Sequence, residues 1–477
     1  MGQEITERHF RREDFNRFGR RLREETELLA EWLEEGRFSR DHGVGGFELE
    51  AWLVDEENRP APINEQFLER VDNPLVSPEL SRFNIELNST PRPLAGDSLE
   101  RMEAELAANW ADCRRVAAEL GADLVMIGTL PTVTDEMLTL ENMSAMARYR
   151  ALNEQVLRLR QGRPIRLDIQ GWEHLHAEHH DVMLEAATTS FQIHLQVSQE
   201  RAARYYNALQ VIAAPMVAAS GNAPFLFGRR LWRETRIPLF EQAVAVGGVA
   251  GAAFGPLKRV TFGSGYVRHS LLELFQENEA HYPVLLPVAL EAPPERLPHL
   301  RLHNGTIWRW NRPLVDFDRD GTPHLRIEHR VVPAGPSVVD TIANAALFFG
   351  LASDLAERPE PVEQRLPFAT ARENLYSAAK HGLQANITWL DGAHGPVREL
   401  LQEELLPAAR RGLAGLEVEG RVADHYLKII EGRVASGRTG AEWQIACRER
   451  RGVDFAGLVA AYRACQESGL PVHRWPL

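Results

Sequence analysis

Apolar side chains recur at every second position in five short stretches of the first two-thirds of the chain. That is the period of a β-strand with one buried face. In 47–53, Phe47, Leu49, Ala51 and Leu53 fall on one side, and Glu48 and Glu50 on the other. In 83–88, Phe83, Ile85 and Leu87 oppose Asn84, Glu86 and Asn88. In 190–198, Phe191, Ile193, Leu195 and Val197 oppose Ser190, Gln192, His194, Gln196 and Ser198. In 325–331, Leu325, Ile327 and Val331 oppose Arg326, Glu328 and Arg330, and in 306–312, Thr306, Trp308 and Trp310 oppose Arg309 and Asn311. Strands are therefore expected at 46–54, 82–88, 190–198, 304–312 and 324–332, with others at 123–127 and 283–290.

Helical spacing appears elsewhere. Residues 10–36 place Leu22, Leu28, Leu29 and Leu33 among charges. Asp97, with Glu100 three residues on, opens a long helix that Gly121 ends, and another follows Ser198 towards Pro215. The Asn- and Pro-rich stretch 55–78 reads as loop. From 337 to 468 the pattern is almost wholly helical, with breaks at Pro359, Gly392, Gly415 and Gly437. Strands followed by helices predict the α+β class. Residues 1–336 are expected to form a catalytic sheet with flanking helices. Residues 337–477 are expected to form a helical layer on the same domain, because no flexible linker separates them.

Composition narrows the function classes. Among 477 residues, 67 Asp and Glu outnumber 54 Lys and Arg, for a net charge of -13. Such a chain has no global field to draw nucleic acid or anionic lipid, so neither is expected as a partner. Three scattered cysteines exclude a disulfide scaffold and fit a reducing, cytoplasmic setting. The longest apolar stretch, 211–227, is broken by Pro215, Gly221, Asn222 and Pro224, so no membrane span is expected. The N-terminus matches a loose acylation pattern at Gly2, but reads as the lead-in to a plain helix.

The polar sides of the five stretches carry Glu, Asn, Gln, His and Arg, and no lysine. One such strand is simply the wet side of a sheet. Side by side, the glutamates would repel unless cations sit between them. Carboxylates and an imidazole suit a hard divalent metal, and Asn, Gln and Arg hold substrates by hydrogen bonds. Arg330, two residues from Glu328, would lie beside that metal and face a transferring phosphoryl group. No Walker A sequence occurs, so an ATP site here is not a P-loop. The glycines of 247–251 follow no strand and make a weak Rossmann signal. Gly263-Ser264-Gly265 reads as a turn. The four histidines in HLHAEHH, 174–180, could hold zinc, but HExxH is absent and an exposed loop or lid is the simpler reading.

Taken in order, several segments resemble the glutamate–cysteine ligase type 2 family of carboxylate–amine ligases. They are 46–50 (GFELE), 84–88 (NIELN), 181–185 (DVMLE), 190–194 (SFQIH), 301–312 (RLHNGTIWRWNR) and 326–336 (RIEHRVVPAGP). The resemblance spans roughly 40–390. It implies a glutamine-synthetase-like antiparallel funnel with ATP at one end, the acceptor carboxylate at the other, and two or three Mg²⁺ between, with Mn²⁺ as an alternative. The metal ligands it implies are Glu48, Glu50, Glu86, His194 and Glu328, with Glu79, seven positions before Glu86, as a further one. Arg330 and Glu328 are the expected catalytic residues. Arg330, Gln192, Arg309 and Asn311 are expected to bind the nucleotide. Arg233 and Arg236 are expected to bind the substrate carboxylate. The implied reaction is ATP-dependent amide formation through an acyl phosphate, on the γ-carboxyl of glutamate, with small-molecule acid and amine as partners and a homo-oligomer allowed. Segments 308–312 and 333–336 look like a subgroup apart from the members best known for joining glutamate to cysteine. Two rival readings are a phosphotransferase on the same fold and a non-catalytic binding protein. No cysteine near the funnel in sequence suits a guanidino kinase, and intact acidic positions on three strands argue against a decayed site.

Overall fold

The structure is a computed structural model that describes residue 5, residues 9–246 and residues 258–477. The acylation pattern at Gly2 and the 247–251 glycines lie outside the described residues. The centre is an antiparallel sheet. Its main path runs Asn311–Phe317, Pro323–His329, Phe191–Val197, Val44–Val54, Asn84–Asn88 and Val76–Pro78. Two short strands, Arg92–Pro93 and Asp123–Val125, also pair with Val44–Val54.

The alternation explains the layering. Phe47, Leu49, Ile85, Leu87, Phe191, Ile193, Leu195, Leu325 and Ile327 are all buried. This apolar face is backed by the helices Ala202–Ser220 and Val338–Glu357, which also pack on each other. Val338–Glu357 is largely apolar because most of it is buried. It is long and apolar enough to cross a membrane, yet most of it lies inside the protein. Helix Leu406–Gly415 crosses it at a pair of glycines, where a Cβ on Gly412 would sit 1.8 Å from the Gly350 carbonyl oxygen. The helices after residue 337 thus close over the same core as the sheet.

The helix Arg12–Glu35 buries Phe18, Leu22, Leu29 and Trp32 and packs on Pro298–Asn304. Its Glu25, 1% exposed, accepts hydrogen bonds from His299 Nδ1 at 2.6 Å and the Leu300 amide at 2.8 Å. That contact fixes a helix whose outer residues wall the cavity described below.

Some expectations fail for physical reasons. Residues 283–290 form no strand, because Pro283 and Pro287 remove ladder donors and Leu285 and Leu286 bury as coil. The expected strand 304–312 is split between Trp308–Arg309, which pairs in parallel with Val260–Thr261, and Asn311–Phe317 in the main sheet. The loop 55–78 contains the short helix Asn64–Leu68 and ends in a strand. The histidine-rich segment is a strand, His174–His179, in a hairpin with Ile165–Gln170, whose Ile165, Leu167 and Ile169 alternate inward. The helical region also holds a small hairpin, Asn386–Thr388 with His394–Pro396.

Gly412→Ala should destabilise the fold by roughly 1–3 kcal/mol, since overpacking against backbone leaves no side chain to yield. Gly395→Ala, which meets open space, should change stability by less than about 0.5 kcal/mol. Urea midpoints of the two variants check this, and equal midpoints would show that the helix crossing has slack.

Candidate active site

Over the polar face of the sheet lies a cavity of about 700 Å³. Glu48, Glu50, Glu79, Glu86, Gln192, Glu328 and Arg330 line it. Register brings them together from distant parts of the chain. Glu50 stands opposite Glu86, Glu48 opposite Gln192, and Glu328 opposite both His194 and Arg312. His194 lies between two carboxylates, its Nε2 3.6 Å from Glu48 Oε1 and 3.5 Å from Glu328 Oε1. That nitrogen is buried and has no hydrogen-bond partner.

Each carboxylate has a different electrostatic setting. Burial raises the Glu328 carboxyl, but Arg312 and Arg330 outweigh it and hold the group well below the usual range. Arg312 grips it with two bonds of 2.8 Å, and Arg330 Nη1 adds one of 3.0 Å. Glu50 accepts from the Ser190 amide at 2.6 Å, the Ser190 hydroxyl at 2.9 Å and Gln192 Nε2 at 2.7 Å. Burial still leaves Glu50 raised. Burial and then Glu48 and Glu50 push Glu86 up to about 7. Burial, Glu86 and Glu50 put Glu79 well above the ordinary value. Burial lowers His194 to about 4, so its ring is neutral at pH 7, the form that ligates metal.

This donor set fits a divalent cation. Ligand atoms of Glu48, His194 and Glu328 lie within 4.8 Å of one another. The imidazole nitrogen makes no hydrogen bond and lies between two carboxylates, and the facing Glu50 and Glu86 would gain from a shared positive charge.

Four expected site residues lie elsewhere. Arg309 is 0% exposed, with Nη2 3.1 Å from Glu277 and its guanidinium stacked on Tyr282. Asn311 donates to Gln210 Oε1 at 3.0 Å and accepts from His329 Nδ1 at 2.6 Å, on the apolar side of the sheet. Both are misplaced because the strand breaks at Trp310, and Arg312 takes the cavity position instead. Arg233 donates to Glu442 at 2.6 Å and ties down a C-terminal helix. Arg236 is 2% exposed and binds Glu234 at 3.0 Å and the Arg330 carbonyl at 3.1 Å. It reaches only a small compartment behind the cavity.

The sequence reading also missed Arg312, Arg148, Tyr149 and Glu185, all of which line the cavity. Continued past Asn311, the alternation puts Arg312 on the side of Trp308 and Trp310; only the break at Trp310 turns it to the cavity. Glu185 lies in a 3₁₀ turn, Met183–Ala187, and Tyr149 in the helix Ala147–Leu159, where no strand period points to them.

Comparison with known proteins gives a consistent set. A family model described as glutamate–cysteine ligase family 2 matches residues 44–456. A Frankia casuarinae protein with the provisional name glutamate–cysteine ligase 2-2 is 26% identical over 428 residues, covering 87% of this chain and 41% of its own length. A Frankia alni protein provisionally named glutamate–cysteine ligase 2-3 is 26% identical over 380 residues, 77% of this chain and 36% of its own length. The chain therefore spans about two-fifths of the curated relatives it matches. The solved glutamate–cysteine ligase of Francisella tularensis in complex with AMP superposes with a TM-score of 0.60 at 12% identity, covering 92% of this chain and 91% of that one. A bifunctional glutathione synthetase from Pasteurella multocida gives 0.57 at 11% identity, covering 92% and 54%. At these identities the likeness shows a shared fold.

The raised Glu86 has a consequence for stability. Its carboxyl rises from 4.5 to about 7 on folding. The folded state therefore binds the proton more tightly, and that stability is complete below 4.5 and is lost as pH rises through about 7. In metal-free buffer, wild-type stability should fall across this window more steeply than that of Glu86→Gln, by up to about 1.4 kcal/mol per pH unit. Saturating Mg²⁺ should flatten the wild-type slope and raise its melting temperature. Parallel pH slopes in metal-free wild type and variant would show that Glu86 ionises normally.

Proposed function

The chain belongs to glutamate–cysteine ligase family 2, and from that premise we propose that it is an ATP-dependent carboxylate–amine ligase acting on the γ-carboxyl of glutamate. The observation that carries this reading is the single cavity in which carboxylates from adjacent strands converge on Arg330. The acid's carboxylate oxygen attacks the γ-phosphorus of ATP, and ADP leaves. The nitrogen of an amine then attacks the acyl carbon, and phosphate leaves. Two or three Mg²⁺, or Mn²⁺, held by Glu48, Glu50, Glu86, His194 and Glu328 with Glu79 beside them, would supply neutralising charge to the phosphate oxygens.

The chain's own residues do the positioning. Arg330 is fixed through Nη1 by Glu328 and Gln192, while its buried Nε has no partner and is free for a phosphoryl oxygen. Gln192 thus orients the arginine as well as Glu50. Arg312 keeps Glu328 ionised from the far side. Leu286, Leu300, Phe275 and Trp308 give the cavity an apolar wall suited to a base or an aliphatic chain and able to exclude water.

Incubation with ATP, Mg²⁺, glutamate and hydroxylamine should yield a hydroxamate and an equal amount of ADP, because hydroxylamine intercepts acyl phosphates. A phosphotransferase would instead give a phosphorylated acceptor, and a binding protein neither product. Arg330→Lys should cut the rate by about 10²-fold or more, since lysine keeps the charge and loses the planar fork. Hydroxamate with another acid but not with glutamate would move the substrate assignment. No hydroxamate from any acid in a broad panel would end the acyl-phosphate reading.

A further inference from the structure

At the Arg330 end of the cavity a small compartment of about 30 Å³ opens behind the main chamber. That volume suits one water-sized group. Glu185 lines both spaces, and its Oε2 is shut off from solvent with no hydrogen-bond partner. The compartment's two arginines are committed to other anions. Arg236 is held by Glu234 and by the carbonyls of Arg330 and Val331. Arg330 is held by Glu328 and Gln192. Arg236 is matched by Glu234 and Arg330 by Glu328, and Glu50, Glu79 and Glu185 also face the compartment. With Glu50 and Glu79 given to cations, Glu185 is the carboxylate left over. Phe240 and Trp310 add aromatic walls, and the Phe240 ring already has the Arg330 guanidinium 6.0 Å from its centroid. A second unused group sits there too. Asn84, 3% exposed, lines the compartment, and its Nδ2 has no partner.

We propose that this compartment, with Glu185 as its anionic wall, receives the primary ammonium head of the amine substrate. The inference deepens the ligase reading and rests on it. The size of the space admits –NH₃⁺ and excludes a substituted nitrogen. Burial pushes the Glu185 carboxyl up to about 7, so an arriving cation offsets an otherwise costly buried charge. Proximity to Arg330 places the nitrogen beside the acyl carbon once the phosphoryl group has been transferred. The Glu185 carboxylate first takes a proton from the ammonium; the freed lone pair then forms the C–N bond as the acyl C–O bond to phosphate breaks, and the second proton shed by nitrogen leaves with the phosphate.

The test uses the hydroxamate assay with methylammonium as a competitor of hydroxylamine, which is mostly uncharged at neutral pH. Methylammonium should inhibit competitively against hydroxylamine, and tetramethylammonium, too large for the compartment, should not. Glu185→Gln, nearly isosteric, should raise the methylammonium inhibition constant at least tenfold. Glu185→Asp, which keeps the charge and shortens its reach, should fall between. Inhibition constants are read independently of kcat, and melting temperatures confirm that both variants fold. Equal inhibition of wild type and Glu185→Gln, or equal inhibition by tetramethylammonium, overturns the proposal while leaving the ligase reading intact. A wild type that forms no hydroxamate overturns both.

Discussion

Everything around the cavity answers one electrostatic demand: several carboxylates are buried on one side of one sheet. Like charges facing across a strand pair, as Glu50 and Glu86 do, are destabilising. The protein meets this unevenly. Glu328 is fully compensated by two arginines, and Glu50 is partly compensated by Ser190 and Gln192. Glu86 has only Ser77 and Asn88, each at 3.0 Å. The uneven compensation sets which carboxyls are held ionised and which are raised. Where arginine already holds the carboxylate, the group is an ionised anchor. Where hydrogen bonds from neutral groups hold it, as at Glu50 and Glu86, burial leaves the carboxyl raised.

Such a face is tolerable only if the opposite face is rigid. The apolar side of the sheet rests on Ala202–Ser220 and Val338–Glu357, and the close glycine crossing at Gly350 and Gly412 presses a further helix onto the stack. The link from sheet to helix is equally tight. At Gly335, φ is 78°, and a Cβ would lie 2.2 Å from the Met126 carbonyl oxygen, so only glycine fits. Arg236 clasps the carbonyls of Arg330 and Val331 just upstream. Arg330 is therefore fixed through both its side chain and its backbone. A binding role was expected of Arg236; what its contacts describe is positioning.

The period of two made most of the acidic face legible, because side-chain direction in a strand follows from position alone. Glu48, Glu50, Glu86, His194 and Glu328 share a side for that reason, and a pairing slip of one residue would have turned each strand's set over. The reading failed where the chain leaves that rule. Arg309 belongs to a different, parallel pairing, so its parity carried no information about the main sheet. Arg233 looked free in sequence, but its partner Glu442 lies on a helix near the other end of the chain. Pro283 and Pro287 were visible signals against a strand at 283–290 and should have outweighed its apolar run.

This division also separates chemistry from substrate choice. The acidic groups sit on strands whose register is fixed by the buried face, so the direction of each side chain follows from the fold. The walls that a substrate would touch sit on other elements: Pro298–Asn304, Ala147–Leu159 and the turn Met183–Ala187. Their positions depend on single tertiary ties, such as Glu25 to His299 and Leu300, or the Val182 amide to Asn153 at 3.0 Å. A change in one tie can move a wall without disturbing the carboxylates. Relatives that share the fold at 12% identity can then differ in what their cavity walls admit.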